Sequence, residues 1–306
     1  MTTSGPRLTD ALIQAARDHW GLADAPVQLI AARENRVFRV DPPTGPAALR
    51  LHRRGYRSVA ELQSELLWMG MLADGGLPVP APVMGLDGSA LLERDGTLID
   101  MLTWIDGCPL GALPAREADY AKLGRLMARM HVLQDAWSLP ARFQRPVWDY
   151  VGTAPTWGRF WENPALGTAQ QAQLVEFRDH ARHRLARLEH ADKGLIHADL
   201  VPDNVLVQGD TMVPIDFDDG GFGHRLFDLA TVTLRSRRTD PSGALALATL
   251  EGYHSLRSLD HAALPLFEAL RACSYVGWNI TRIAEDHTRN ARFIGTALHS
   301  IGARGV

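Results

Sequence analysis

Residues 195–219 constrain this chain more than any other stretch. They read Leu-Ile-His-Ala-Asp-Leu-Val-Pro-Asp-Asn-Val-Leu-Val-Gln-Gly-Asp-Thr-Met-Val-Pro-Ile-Asp-Phe-Asp-Asp. Two short apolar runs, Val205–Val207 and Met212–Ile215, flank Gln-Gly-Asp-Thr. Gly-Asp tolerates the positive φ that a tight turn demands, so the spacing predicts a β-hairpin. Asp199 and Asn204 precede its first strand and Asp216 closes its second. Antiparallel pairing sets the start of one strand beside the end of the other, so Asn204 and Asp216 are expected as neighbours. Together they offer oxygen ligands to a hard divalent cation, with positions left for water and phosphate. Asp199 stands on a loop opened by His197 and bent by Pro202, placed to accept a proton from an incoming hydroxyl. Base, amide ligand and carboxylate ligand are the parts that phosphoryl transfer needs. The bland competitor is a surface hairpin carrying solvated carboxylates.

At 306 residues the chain is long enough for two lobes, each with its own core. A formal net charge of −3 supplies no basic field for nucleic acid or an anionic membrane. Cys108 and Cys273 lie far apart and fit neither a metal spacing nor a disulfide framework, which points to a reducing, cytoplasmic setting. Met-Thr-Thr-Ser-Gly-Pro-Arg lacks the apolar segment of a signal peptide, and no stretch has the apolar length of a membrane span. The expected protein is soluble, with neither nucleic acid nor membrane as partner. Its oligomeric state is left open.

The string His197-Ala-Asp199-x-x-x-x-Asn204, followed by Ile215-Asp216-Phe217-Asp218, closely resembles the core of the aminoglycoside phosphotransferase and choline kinase superfamily. The longer His197-Ala-Asp-Leu-x-Pro-Asp-Asn-Val205 is most similar to type II homoserine kinases, whereas Asp-Phe-Asp-Asp-Gly-Gly resembles bacterial stress-response kinases. The resemblance implies an α+β, bilobal protein-kinase-like fold. A small antiparallel-sheet lobe would cover residues 1–104 and a mostly helical lobe residues 105–306. It also implies ATP and Mg2+ as cofactors, Asp199 as base, and Asn204 and Asp216 as metal ligands. Asp218 is a further candidate for metal or substrate, and Asp219 is assigned only to the turn.

Strands are expected at Val27–Ala32, Val37–Val40 and Ala47–His52, between helices at 8–20 and 59–72. The family's Asn-x-Val-Phe-Arg-Val pattern falls on Asn35–Val40. The turn Arg33-Glu34-Asn35-Arg36, which would cover phosphates in kinase-like folds, contains no glycine. Arg50 occupies the strand position where such enzymes usually carry a lysine toward the α- and β-phosphates. Glu65, rather than Glu61, is the expected helix partner of Arg50; the alternative is a surface arginine in a basic run. Strands at Ala90–Glu93 and Leu98–Ile105 complete the sheet. Backbone groups of Met101–Ile105, Met101 and Thr103 among them, are expected to line the adenine slot.

In the second half, helices are predicted at 115–134, 171–188, 241–255 and 261–286. His131 is expected to be a packed structural histidine. The cluster Trp137, Phe143, Trp148, Trp157, Phe160 and Trp161 is read as core rather than as a wall for a cationic ligand. His197 and Asp228 are assigned supporting roles, Asp228 bracing the catalytic loop through hydrogen bonds. Asn279 and Arg282, three apart on the last helix, share a face that would suit a substrate carboxylate or hydroxyl. The favoured function is an enzyme phosphorylating a small hydroxyl compound: homoserine, another amino alcohol or an aminoglycoside-like sugar. A stress-response protein kinase and a silent nucleotide-binding pseudokinase are the alternatives.

Overall fold

The computed structural model describes residues 6–32, 34–188, 191–282 and 287–302. In chain order its first elements are α1 (Pro6–Trp20), β1 (Val27–Ala32), β2 (Arg36–Val40), β3 (Ala47–Leu51), α2 (Val59–Asp74), β4 (Leu91–Arg94), β5 (Thr97–Thr103) and β6 (Cys108–Pro109). There follow α3 (Glu117–Asp135), α4 (Thr168–Ala186), β7 (Lys193–Ile196), β8 (Val205–Gln208), β9 (Thr211–Pro214) and β10 (Gly221–His224). The helices α5 (Arg225–Thr239), α6 (Ala244–His254), α7 (Leu264–Trp278) and α8 (His287–Gly302) close the chain. The class is α+β, and two compact units divide it.

The first unit comprises Met1–Cys108 with Ser138–Arg145 and Leu206–Ile215. Its antiparallel sheet has the order β1-β2-β3-β5-β4. Alternation along β3 and β5 sends Leu49, Leu51, Ile99 and Met101 into a core shared with Leu12, Ala16 and Trp20 of α1. The intervening Arg50 and Asp100 are cross-strand partners in the β3–β5 register. Ser58 caps α2: its hydroxyl accepts from the Glu61 amide while a Glu61 carboxylate oxygen accepts from the Ser58 amide. Such a reciprocal cap contributes about 1 kcal/mol and fixes where the helix starts, hence which way Glu65 points. The β8–β9 hairpin forms as expected around Gly209, whose φ is +59°.

The second unit comprises Pro109–Trp137, Pro146–Val205 and Asp216–Val306. Helices α3 and α6 meet through glycines: a Cβ on Gly124 would strike the Thr249 carbonyl, and one on Gly252 the Ala121 carbonyl. That near backbone-to-backbone contact brings His131 of α3 to Tyr253 of α6. The short strands β7 and β10 pair antiparallel, Ile196 opposite Gly221.

Two expectations need correction. The single helix expected over 261–286 is α7, which ends at Trp278, followed by a short 3-10 turn over Ile280–Arg282. A further helix, α8, was not anticipated, although Asn290, Ile294 and Ala297 lie at helical spacing and are buried. Arg33 of the expected phosphate-covering turn and residues 283–286 lie outside the described residues.

Candidate active site

The loop bearing Asp199 leaves β7 and is held from beneath by Asp228 in the first turn of α5. One Asp228 oxygen accepts from the Ala198 amide at 2.7 Å and the other from the His197 amide at 2.9 Å. The second oxygen also meets His131 Nε2 at 3.1 Å, and His131 Nδ1 meets the Tyr253 hydroxyl at 2.9 Å. Burial holds the His131 pKa below its ordinary value, so the ring is neutral, donating from Nε2 and accepting at Nδ1. Burial alone would raise the Asp228 pKa, but the His131 hydrogen bond and the loop amides outweigh it and keep the carboxylate ionised. Ala198 sits at φ +67°, a left-handed conformation that an alanine adopts only when its surroundings impose it. The two Asp228 bonds supply that constraint.

Asp199 itself has a half-buried side chain, 24% exposed. The Asn204 amide nitrogen donates to its carbonyl at 2.9 Å and to its carboxylate at 3.0 Å. The other carboxylate oxygen accepts from Nη2 of Arg271 on α7, which also donates to the Tyr275 hydroxyl at 2.8 Å. Arg271 is fully buried, with its guanidinium 4.5 Å from the Trp157 ring centre and 4.3 Å from that of Tyr275. Burial pushes the Asp199 pKa up to about 6, against the opposing pull of Arg271.

Asn204 and Asp216 flank the open end of the hairpin. Because Asn204 turns its nitrogen toward Asp199, its amide oxygen remains as the acceptor on the other side. Asp216 is exposed and adopts φ +67°, the second strained non-glycine residue of this region. Residues 217–220 close a turn through the Gly220 amide and the Phe217 carbonyl at 2.9 Å. Asp218 is buried in that turn, 7% exposed. Asp219 is pinned by two indoles: Trp148 Nε1 donates to its carbonyl at 3.0 Å and Trp157 Nε1 to its carboxylate at 3.3 Å. One amide oxygen and one exposed carboxylate are hard donors, so the set fits a divalent cation completed by phosphate and water.

In the first unit Arg50 and Glu65 pair at 3.0 Å. Arg50 also holds Asp100 through two bonds of 2.7 Å, from Nε and Nη2. His52 meets Asp100 at 2.7 Å, and Arg145 meets Glu65 at 3.0 Å. Burial would raise both carboxylates, yet the surrounding cations hold Glu65 and Asp100 below their ordinary range. Glu61 is excluded as the partner because its carboxylate serves the helix cap and leans toward Arg57. Asn35 accepts from the Arg53 amide at 3.0 Å, fastening the β1–β2 turn to the residues after β3. One backbone group each of Met101 and Thr103, expected at the adenine slot, is already hydrogen-bonded within the first unit. The Met101 carbonyl accepts from Val83 and the Thr103 amide donates to Ala81, both at 2.8 Å. That carbonyl and that amide are taken by the extended 81–83 segment.

The model of the phosphotransferase enzyme family matches residues 26–267. The chain belongs to that family. It is 30% identical to a homoserine kinase of Methylobacillus glycogenes over 87% of this chain and 80% of the relative. A homoserine kinase of Rhizobium johnstonii is 29% identical over 82% and 77%. Among solved structures, a microcompartment-associated aminopropanol kinase superposes with a TM-score of 0.84 at 27% identity, covering 97% of this chain and 96% of that one. An amicoumacin kinase, at 20% identity and a TM-score of 0.78, shares the fold. The kinase-like fold and the reading as a small-molecule kinase acting on a hydroxyl therefore stand.

Three residues of this phosphotransferase escaped the sequence reading. Asp100 carried a signal, a lone carboxylate inside the apolar run Leu98–Leu102 and opposite Arg50 in any in-register pairing. Arg271 and Arg145 carried none, since an arginine on a helix or in a loop is ordinarily solvated. The aromatic cluster does pack as core, with Trp148, Trp157, Phe160 and Trp161 all buried, but one of its rings also covers the chain's own cation, Arg271. Asn279 and Arg282 do not share a face as expected. Asn279 is wholly buried at the end of α7 and donates to Asn290 at 3.1 Å, while Arg282 turns back to the Trp278 carbonyl at 2.8 Å and stacks on its ring. No described helix is long and apolar enough to cross a membrane.

Proposed function

We propose that this phosphotransferase moves the γ-phosphate of ATP, with magnesium, onto the hydroxyl of a small amino alcohol, homoserine being the first acceptor to try. The observation that carries the reading is the hydrogen-bonded pair Asp199–Asn204. In it a carboxylate in reach of an acceptor proton adjoins an amide whose oxygen remains for a metal. Asp199 accepts the hydroxyl proton as the oxygen attacks, and a carboxylate poised at about 6 is mostly ionised at neutral pH while still able to take that proton. Asn204 and Asp216 would hold the magnesium. Bound there, the metal neutralises charge on the phosphate oxygens. Among the described residues no three His, Cys, Asp or Glu side chains converge as a metal cage, and magnesium ordinarily takes only one or two carboxylates alongside phosphates and water. Arg50, fixed by Glu65 and Asp100, is the candidate cation toward the remaining phosphates. The relatives named for homoserine and aminopropanol support a small hydroxylated amine as acceptor. Both cysteines are free, in keeping with the reducing cytoplasm proposed as its location.

The test is ATP consumption with magnesium against small alcohols and generic protein substrates, with the Asp199→Asn protein alongside. Turnover on a small amino alcohol, absent in the variant although ATP still binds, is the expected result. Phosphate transferred only to protein, or equal rates in the two proteins, would overturn the reading.

A further inference from the structure

The basic run that follows β3 is absorbed only in part by the candidate active site. Arg50 turns inward to Asp100 and Glu65, whereas Arg53, Arg54 and Arg57 belong to the loop that joins β3 to α2. In the first unit these three arginines line one cavity of about 200 Å³, together with Ser58 and Val59 at the start of α2 and Glu93 of β4. A water needs roughly 10–15 Å³ of such space, so the cavity has room for a small molecule and its hydration. It lies beyond the Arg50–Asp100 pair, at the end of the sheet closed by the β4–β5 turn. The His52 amide donates to the Leu98 carbonyl there, and Arg54 reaches Thr97.

Contacts on the protein already hold these guanidiniums in place. Arg54 Nε donates to the Thr97 hydroxyl at 3.0 Å and Nη2 to the Asp95 carbonyl at 2.6 Å, which leaves Nη1 for another acceptor. The guanidiniums of Arg53 and Arg57 lie 3.9 Å and 4.4 Å from the centre of the Tyr56 ring. The Arg57 side chain is only 9% exposed, yet its ion pair with Glu61 is 3.7 Å long, because the Glu61 carboxylate serves the Ser58 cap. Among the described residues that line the cavity, three guanidiniums therefore face one carboxylate, Glu93. Gathering like charges around a shared space is unfavourable until an anion balances them. A phosphate group carries up to two negative charges and several acceptor oxygens, and guanidinium forks match it closely. Glu93 leaves a place for an ammonium on the same molecule.

We propose that this cavity is a ligand site in its own right, binding a phosphate group, free or carried by a small phosphomonoester, through Arg53, Arg54 and Arg57. Its occupant would lie against the first turn of α2, the helix that also carries Glu65.

The experiment is calorimetric titration of the whole protein with inorganic phosphate and, separately, with phosphoethanolamine, in the parent, Arg54→Gln, Arg57→Gln and Glu93→Gln. Each arginine variant should weaken phosphate binding at least about tenfold, or 1.4 kcal/mol, as expected for loss of one charge-assisted hydrogen bond. Glu93→Gln should tighten inorganic phosphate about threefold by removing the opposing charge. That gain cannot come from a damaged fold, so it decides the matter if the arginine variants do not fold. A non-hydrolysable ATP analogue with magnesium should leave the phosphate affinity of the parent within about twofold, since it fills other residues. Tighter binding of phosphoethanolamine than of phosphate would assign the site to a phosphorylated amine, and the reverse order to free phosphate. No saturable binding of either probe, an affinity that none of the three variants moves, or displacement of phosphate by the ATP analogue would overturn the proposal.

Discussion

Replacing Asp228 by asparagine tests whether the catalytic loop owes its shape to one side chain. The change is isosteric, so no cavity forms and packing is preserved. What is lost is an acceptor. Asp228 takes three donors, the His197 and Ala198 amides and His131 Nε2, with every partner buried. An asparagine offers one oxygen, and its amide nitrogen must face at least one of the amides it replaces. Bonds to a charged acceptor contribute about 1.5–3 kcal/mol each, and an orphaned buried donor costs about 1–3 kcal/mol. Allowing for relief of the buried charge, the net loss at the loop is about 3 kcal/mol, equivalent to about two decades. The strained φ of Ala198 should then relax, carrying Asp199 away from its position. Hydrogen–deuterium exchange of a peptide covering 195–201 should quicken about 100-fold, with kcat falling by a similar factor and KM for ATP within about twofold of the parent. Unchanged exchange with unchanged kcat would refute the reasoning, because it would mean that the loop is held elsewhere.

Other expectations follow from the same geometry. The acid limb of kcat/KM should fall tenfold per pH unit below about pH 6, since Asp199 must be ionised to accept a proton, and in Arg271→Met the limb should move to higher pH because the guanidinium opposes the burial effect; a pH–rate profile reads both. Arg50→Lys should destabilise the protein by about 3 kcal/mol, since one ammonium cannot serve both Asp100 oxygens and Glu65, and thermal melting measures it. Because cations depress Glu65 and Asp100, their contribution to stability is present above the ordinary carboxylate values of 4.5 and 3.8 and is lost as pH falls below them. Acid melts of the Asp100→Asn protein should accordingly vary less with pH than those of the parent. Gly252→Ala should cost about 1–3 kcal/mol by forcing α6 off the Ala121 carbonyl, and loosened His131–Tyr253 contact should appear in the histidine NMR signal.

Local order did most of the work that the sequence could do alone. The 195–219 stretch carries its own turn, alternation and polar punctuation, so the hairpin and the order of Asp199, Asn204 and Asp216 along it follow from residues close in the chain. The α2 cap and the pairing of Arg50 with Glu65 are legible for a similar reason, being set by helix phase and strand alternation over fifteen residues. Only tertiary structure could bring α7 to the catalytic loop, seventy-two residues away, and so reveal that the base is held by a buried arginine. The same holds for Arg145 reaching Glu65 across eighty residues, and for the 81–83 segment that takes the Met101 carbonyl and the Thr103 amide. Periodicity marks which face of an element is buried, but not which distant element covers it. The charges that tune this site lie on such distant elements, where burial changes both what a side chain costs and what it can bind.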